Sequence, residues 1–174
     1  ISELNNETIN FVNELKETLS NHNLQQPLSP SLLGYFTHSI RINEDEHEES
    51  ILLGGFHIKN LSPNTIDDLY ICLRIDTENH YHFSGKFRNH QSTIKSQGLP
   101  IIWERFDNGD DKKELWFRLT KGKQLEPYKT ITFSDLQIRW ENDEPFSCGI
   151  LGFIYSEIET EGVASLNSIN LNIK

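Results

Sequence analysis

The 174-residue chain contains no methionine and only two cysteines, Cys72 and Cys148. Neither belongs to a CxxC pair, which excludes a zinc ribbon and a thioredoxin-type redox centre in their usual forms. A small fold built on disulfides would carry more of them. No stretch approaches the roughly 20 apolar residues of a membrane span. Bases are outnumbered, with 16 Lys and Arg against 26 Asp and Glu and a net charge of −10. Phosphate backbones are bound largely through Lys and Arg, so nucleic acid is not an expected partner. A P-loop, a nucleophile elbow and an HExxH helix are all missing, as is a Cys/His pair in a known local context. No repeat of 20–50 residues stands out, which argues against a propeller or solenoid. The chain opens Ile1-Ser2-Glu3, neither an initiator Met nor a signal peptide. The expected compartment therefore leans to the cytoplasm, or to the cell surface if an upstream segment has been removed.

What is present is ordinary for a folded domain, with 36% hydrophobic and 24% charged residues. Residues 1–24 read as an amphipathic helix. Ile1, Leu4, Thr8, Phe11, Leu15 and Thr18 follow a 3-4 spacing, and Ile9, Val12 and Leu19 widen the stripe. Such a stripe either packs on its own domain or pairs with another helix, and Leu4, Phe11 and Leu15 are the candidates for contact. Pro27 and Pro30 then bar helix continuation.

Residues 25–174 are expected to form the sandwich domain, in which the period changes to two from Ser31 onward, the spacing of a strand with one dry face. Leu32, Phe36, Ile40 and Ile42 share one face, and Leu52, Phe56 and Ile58 line the next strand. The clearest alternation is Leu69, Ile71, Leu73 and Ile75 against Asp68, Tyr70, Cys72 and Arg74. Tyr81, Phe83 and Phe87 follow, then a strand at 101–106, a hairpin turn at Asp107-Asn108-Gly109, and a return strand with Leu115, Phe117 and Leu119 inward. Ile131 and Phe133 alternate, but Leu136, Ile138 and Trp140 resume on the opposite parity, which predicts a bulge near Ser134 and Asp135. Residues 146–158 are apolar on both parities, as a strand covered on both faces would be. Ile169, Leu171 and Ile173 close with an edge-type alternation. About eight or nine strands with short turns predict an all-β antiparallel sandwich carrying one short N-terminal α-helix.

The segment Leu125-Glu126-Pro127-Tyr128-Lys129-Thr130-Ile131-Thr132-Phe133 is similar to the leucine, x, proline, glycine turn-and-strand of bacterial immunoglobulin-like modules, including the CARDB-type adhesion and cell-surface domains. An early strand after an Asn-rich turn is also usual there, and residues 56–75 look like that part. Tyr128 stands where the family usually has Gly. The resemblance covers roughly residues 50–174, and it implies an immunoglobulin-like sandwich with a non-catalytic binding role. The Cys–Trp–Cys signature of antibody domains does not hold: Trp103 lies too far beyond Cys72, and Phe146 occupies the tyrosine-corner position before Cys148. Two free thiols are expected.

Candidate chemistry is sparse. His80 and His82 project to one side of a strand and, with His90, have the donor type of a zinc or copper site. Lys86 on the same face would repel a cation, and no metal or cofactor is expected. Asp107, Asp110 and Asp111 read as a solvated hairpin tip lacking the twelve-residue calcium-loop pattern. The run containing Glu44, Asp45, Glu46, Glu48 and Glu49 reads as a solvated loop able to dock a basic partner. Glu104, Glu114, Asp135 and Glu141 offer carboxylate pairs of the kind glycoside hydrolysis uses, but acidic strand proteins present such pairs by chance. The chain is not expected to be an enzyme. Trp116, opposite in parity to Leu115 and Phe117, points away from them: either the N-terminal helix Leu4–Leu19 covers it as a core residue, or it is exposed and Trp103, Tyr70 and Tyr128 are candidates to join it in an aromatic face. The expected function is a protein-interaction or assembly module of bacterial type, with self-association through the N-terminal helix. The alternative is a carbohydrate-binding sandwich using the aromatic face.

Overall fold

The structure, a computed structural model, describes residues 30–45, 48–89, 100–106 and 113–174. The helix expected over 1–24 with Leu4, Phe11 and Leu15, the turn at Asp107-Asn108-Gly109, and His90 lie outside the described residues.

The described chain is all-β, with two packed sheets and no helix. Among the described residues there are eleven strands: β1 (Leu32–Arg41), β2 (Glu49–Asn60), β3 (Leu69–Asp76), β4 (His82–Ser84), β5 (Arg88–Asn89), β6 (Trp103–Arg105), β7 (Glu114–Leu119), β8 (Thr130–Glu141), β9 (Phe146–Ser156), β10 (Glu159–Ala164) and β11 (Ile169–Ile173). The smaller sheet has the order β1-β2-β8-β4, and the larger runs β10-β9-β3-β7-β6-β5 with β11 also on β9. All pairs are antiparallel except the two-residue match of β5 with β6, which is parallel. The count exceeds the expected eight or nine because β5 is only two residues long and β10 lacks a dry-wet alternation. Only tertiary pairing makes strands of them.

The core lies between the sheets. Leu69, Ile71, Leu73 and Ile75 of β3 face Phe56, Ile58, Phe133, Leu136 and Ile138 of the smaller sheet, all essentially fully buried. Burial of each large apolar side chain is worth about 1.5–3 kcal/mol, so these rows dominate the driving force. Two glycines set the spacing: a Cβ on Gly152 would fall 2.6 Å from the Phe56 ring, and one on Gly34 would fall 2.5 Å from Ile154 Cδ1. Phe56 thus occupies room that two missing side chains leave.

The predicted bulge is present. Gly54 pairs with Leu136 and Phe56 with Phe133, so β8 carries one residue more than β2 between these pairs, and Asp135 sits at φ 57°. The extra residue returns Leu136, Ile138 and Trp140 to the core side. Tyr128 is also left-handed, at φ 60°. It follows Pro127 in a turn closed by the Lys129 N–H donating to the Glu126 carbonyl at 3.2 Å. Proline second and positive φ third is the type II pattern. Glycine adopts that conformation without steric cost, whereas a tyrosine is strained in it.

A buried asparagine holds the loop before β3. Asn60 has no exposed surface. Its Nδ2 donates to the carbonyls of Asn64 at 2.7 Å, Leu125 at 3.3 Å and Glu126 at 3.3 Å. Its Oδ1 accepts from the Ser62 N–H at 2.9 Å and hydroxyl at 2.8 Å. One side chain therefore ties the Ser62-Pro63-Asn64 turn to the turn that leads into β8.

Both cysteines are buried and outside any disulfide. Cys72 pairs in register with Phe153, on the parity opposite to Cys148 of β9, so the thiols project from opposite faces of one sheet. A disulfide between them is sterically excluded.

Candidate binding face

The outer face of the larger sheet gathers the aromatic residues. Strand register places Tyr70 beside Arg118 and Tyr155, Cys72 beside Trp116 and Phe153, and Arg74 beside Glu114 and Leu151. Four rings touch in a chain. Tyr70 meets Phe106 edge-on at 5.8 Å, Phe106 meets Trp116 at 6.2 Å, and Trp116 meets Tyr155 at 5.3 Å with 35° between planes. Cys72 lies at the centre with 1% exposure. Tyr155 lies over Gly162, where a Cβ would come within 2.5 Å of the ring. Gly162 also has φ 83°, so backbone and ring both demand glycine there.

Charge frames this aromatic row. Arg74 lies over the Phe153 ring at 5.1 Å and donates through Nε and Nη2 to Glu114 Oε1 at 3.1 and 2.8 Å. The hydrogen bond and charge of Glu114 raise the Arg74 pKa. Burial raises that of the Tyr155 hydroxyl, with Cys72 and Glu114 adding to it, so the phenol stays neutral and able to donate. At the other end Glu104, 7% exposed, accepts from Arg118 Nε at 3.1 Å and has Arg88 at 3.9 Å.

Beyond Tyr70 the face runs into a cleft of about 390 Å³. Asp67, Asp68, Glu104, Arg118, Lys121 and Lys123 are among the residues that line its walls. The walls are pinned by a two-way bridge, Ile66 N–H to Leu125 carbonyl at 3.0 Å and Leu125 N–H to Ile66 carbonyl at 2.8 Å. The volume falls within the range of small-ligand sites.

Of the four aromatic candidates, Trp116 and Tyr70 are brought together, joined through Phe106. Trp103 is a correction: it is 1% exposed, faces the core, and donates through Nε1 to the Thr132 carbonyl at 3.0 Å. Its place in β6, opposite Leu119, puts it on the dry parity. Tyr128 is 61% exposed but belongs to the turn entering β8, away from the ring chain. Phe153 and Tyr155 are not evident as surface residues from the sequence, because residues 146–158 are apolar on both parities. Leu151, Phe153 and Tyr155 are in fact only half-buried. Their alternation with Ile150, Gly152 and Ile154 was the signal that could have found them.

The histidines resolve differently. His80 and His82 are exposed, with rings 5.1 Å apart and edge to face. Among the described residues no group of three or more His, Cys, Asp or Glu is placed to hold a metal ion. His57 stacks on Tyr35 at 4.9 Å and lies between Thr37 Oγ1 (2.8 Å from Nε2) and Thr132 Oγ1 (2.9 Å from Nδ1). Both ring nitrogens are occupied, which makes it a strut across β1, β2 and β8. Among the described residues no helix is long and apolar enough to cross a membrane.

Compared with protein-family models the chain matches none, and comparison with curated proteins finds no match.

Proposed function

We infer that the chain is a non-catalytic protein-interaction module, of the bacterial immunoglobulin-like kind, that works through the outer face of its larger sheet. The observation that carries this is the chain of Tyr70, Phe106, Trp116 and Tyr155 rings on one outer face, bordered by the Arg74–Glu114 and Arg118–Glu104 pairs. Tyr, Trp and Arg are the residues enriched where protein partners bind most strongly. The immunoglobulin-like reading is supported by strand order. β1-β2-β8-β4 follows the A-B-E-D arrangement and β10-β9-β3-β7 follows G-F-C-C′. One connection departs from it, because β4 precedes β7 in the chain. Self-association through Leu4, Phe11 and Leu15 belongs to the same proposal. Light scattering on the full chain and on a version lacking residues 1–24 tests it, and a monomer in both removes that part.

The second reading, a carbohydrate-binding sandwich, is favoured by the Trp116 and Tyr155 rings, inclined by only 35°, in a ring chain whose far member, Tyr70, lines the open cleft. The remaining rings are tilted by 58° and 80°, which suits an irregular protein surface better than a flat sugar chain. A photo-crosslinking residue at Phe153, with the same residue at Lys59 as control, separates the readings. Protein adducts at Phe153 alone, abolished by Trp116→Ala, support the first. Binding on a glycan array that Trp116→Ala abolishes, without protein adducts, replaces it with the second.

A further inference from the structure

Among the described residues, the outer margin of β1 is closed along one half and open along the other. The Ser31 carbonyl accepts from Leu61 N–H on the β2 side, so even-numbered residues of β1 turn their backbone groups away from β2. Gly34 and Phe36 do so and are satisfied. The Gly34 carbonyl takes the Leu166 N–H at 2.8 Å, and Asn167 both accepts from the Phe36 N–H at 2.7 Å and donates to the Phe36 carbonyl at 3.0 Å. The same alternation turns the N–H and carbonyl groups of His38 and Ile40 outward, and among the described residues nothing pairs with them. Ile40 and Ile42 share the face of Leu32 and Phe36, yet they are 40% and 55% exposed. Folded domains normally blunt such a margin, as Asn167 does two residues earlier.

We propose that the His38–Ile40 margin accepts an extended segment of a partner protein as an added strand, with an apolar side chain over Ile40 and basic residues beside Glu44, Asp45 and Glu48. Those three carboxylates are exposed where β1 runs into the following loop, and the chain carries a net charge of −10. That charge selects a basic segment. A second copy of this chain brings the same negative charge, and a strip this short falls below the roughly 1,200 Å² that a stable pairing of folded surfaces needs. Strand addition gains affinity from main-chain bonds and selectivity from alternate side chains. This margin belongs to the smaller sheet, so the inference is independent of the aromatic face.

The test is amide hydrogen exchange on the full chain with a synthetic peptide alternating valine and threonine and ending in two lysines. Exchange at His38 and Ile40 should slow by at least about tenfold, as for newly paired strand amides. The same peptide N-methylated at alternate amides should give no slowing, and one with glutamates in place of the lysines should give less. His38→Pro removes an N–H that no described residue pairs with and should abolish protection at Ile40 with cooperative unfolding retained. If that variant does not fold, Ile40→Lys, which repels the lysine peptide, serves in its place. Unchanged exchange, equal protection by the N-methylated peptide, or protection that rises with protein concentration alone overturns the proposal.

Discussion

Replacing Asn60 by aspartate changes one atom and no shape, yet it should couple the stability of the sandwich to pH. In the native protein the Asn60 amide nitrogen donates to three carbonyls from a site with no exposed surface. A carboxylate there would direct an oxygen at the same carbonyls without water. Full burial raises a carboxyl pKa by up to 3–5 units, from about 3.9 in the unfolded chain. Taking about 3 units, the folded Asn60→Asp variant loses about 4 kcal/mol once ionisation is complete. The folded pKa lies above the unfolded one, so the variant holds its stability below about pH 4 and loses it as pH rises through about pH 7. Protonated, the residue still donates one bond to the Asn64 carbonyl, which leaves a deficit of about 1 kcal/mol for the missing second donor. Urea unfolding of both proteins at the two pH values reads this directly. With a slope of about 2 kcal/mol/M, the midpoint gap to the native protein should widen by about 1.5 M between acid and neutral pH. A gap that stays constant would refute the argument, since it would mean that the Asn60 site admits water.

Tyr128→Gly should stabilise the domain by about 0.5–1 kcal/mol, because a left-handed tyrosine costs about 1–2 kcal/mol and the gain is offset in part by unfolded-chain entropy. Thermal unfolding should show a midpoint about 2 °C higher, and a lower one rules the strain argument out. Gly152→Ala should cost about 1–3 kcal/mol by driving a methyl into Phe56. Phe56→Leu in the same chain should recover part of that loss, and a double-mutant cycle without coupling denies the contact. In the native protein neither thiol should react readily with an aromatic disulfide reagent, since both are buried and burial pushes Cys148 up to about 11. Unfolding in denaturant should release two equivalents; fewer would indicate a cross-link.

The sandwich was legible because most strands announce themselves by alternation: β3 and β7 each bury every second residue. Even the bulge at Asp135 could be read, since a slip in parity has few other physical causes. What escaped was set by neighbours. β10 is a strand because β9 offers it an edge, and β5 because β6 does. Ile40 and Ile42 have the parity of core residues, but the sequence does not reveal that the opposing layer ends before reaching them. The aromatic face was half legible: Trp116 showed itself by lying opposite Leu115 and Phe117, whereas Tyr155 and Phe153 were hidden in a strand apolar on both sides. Trp103 was misplaced because its segment offers only three paired residues from which to judge a face.

The interruption between β10 and β11 has a further consequence. Ser165 accepts through its hydroxyl from the Gly152 N–H, while Leu166 and Asn167 reach the first strand of the opposite layer. Three consecutive residues thus fasten both layers along a shared seam. Their detachment would uncover a margin of each layer together, so this short run acts as a clasp whose release would leave both layers with backbone groups in want of partners.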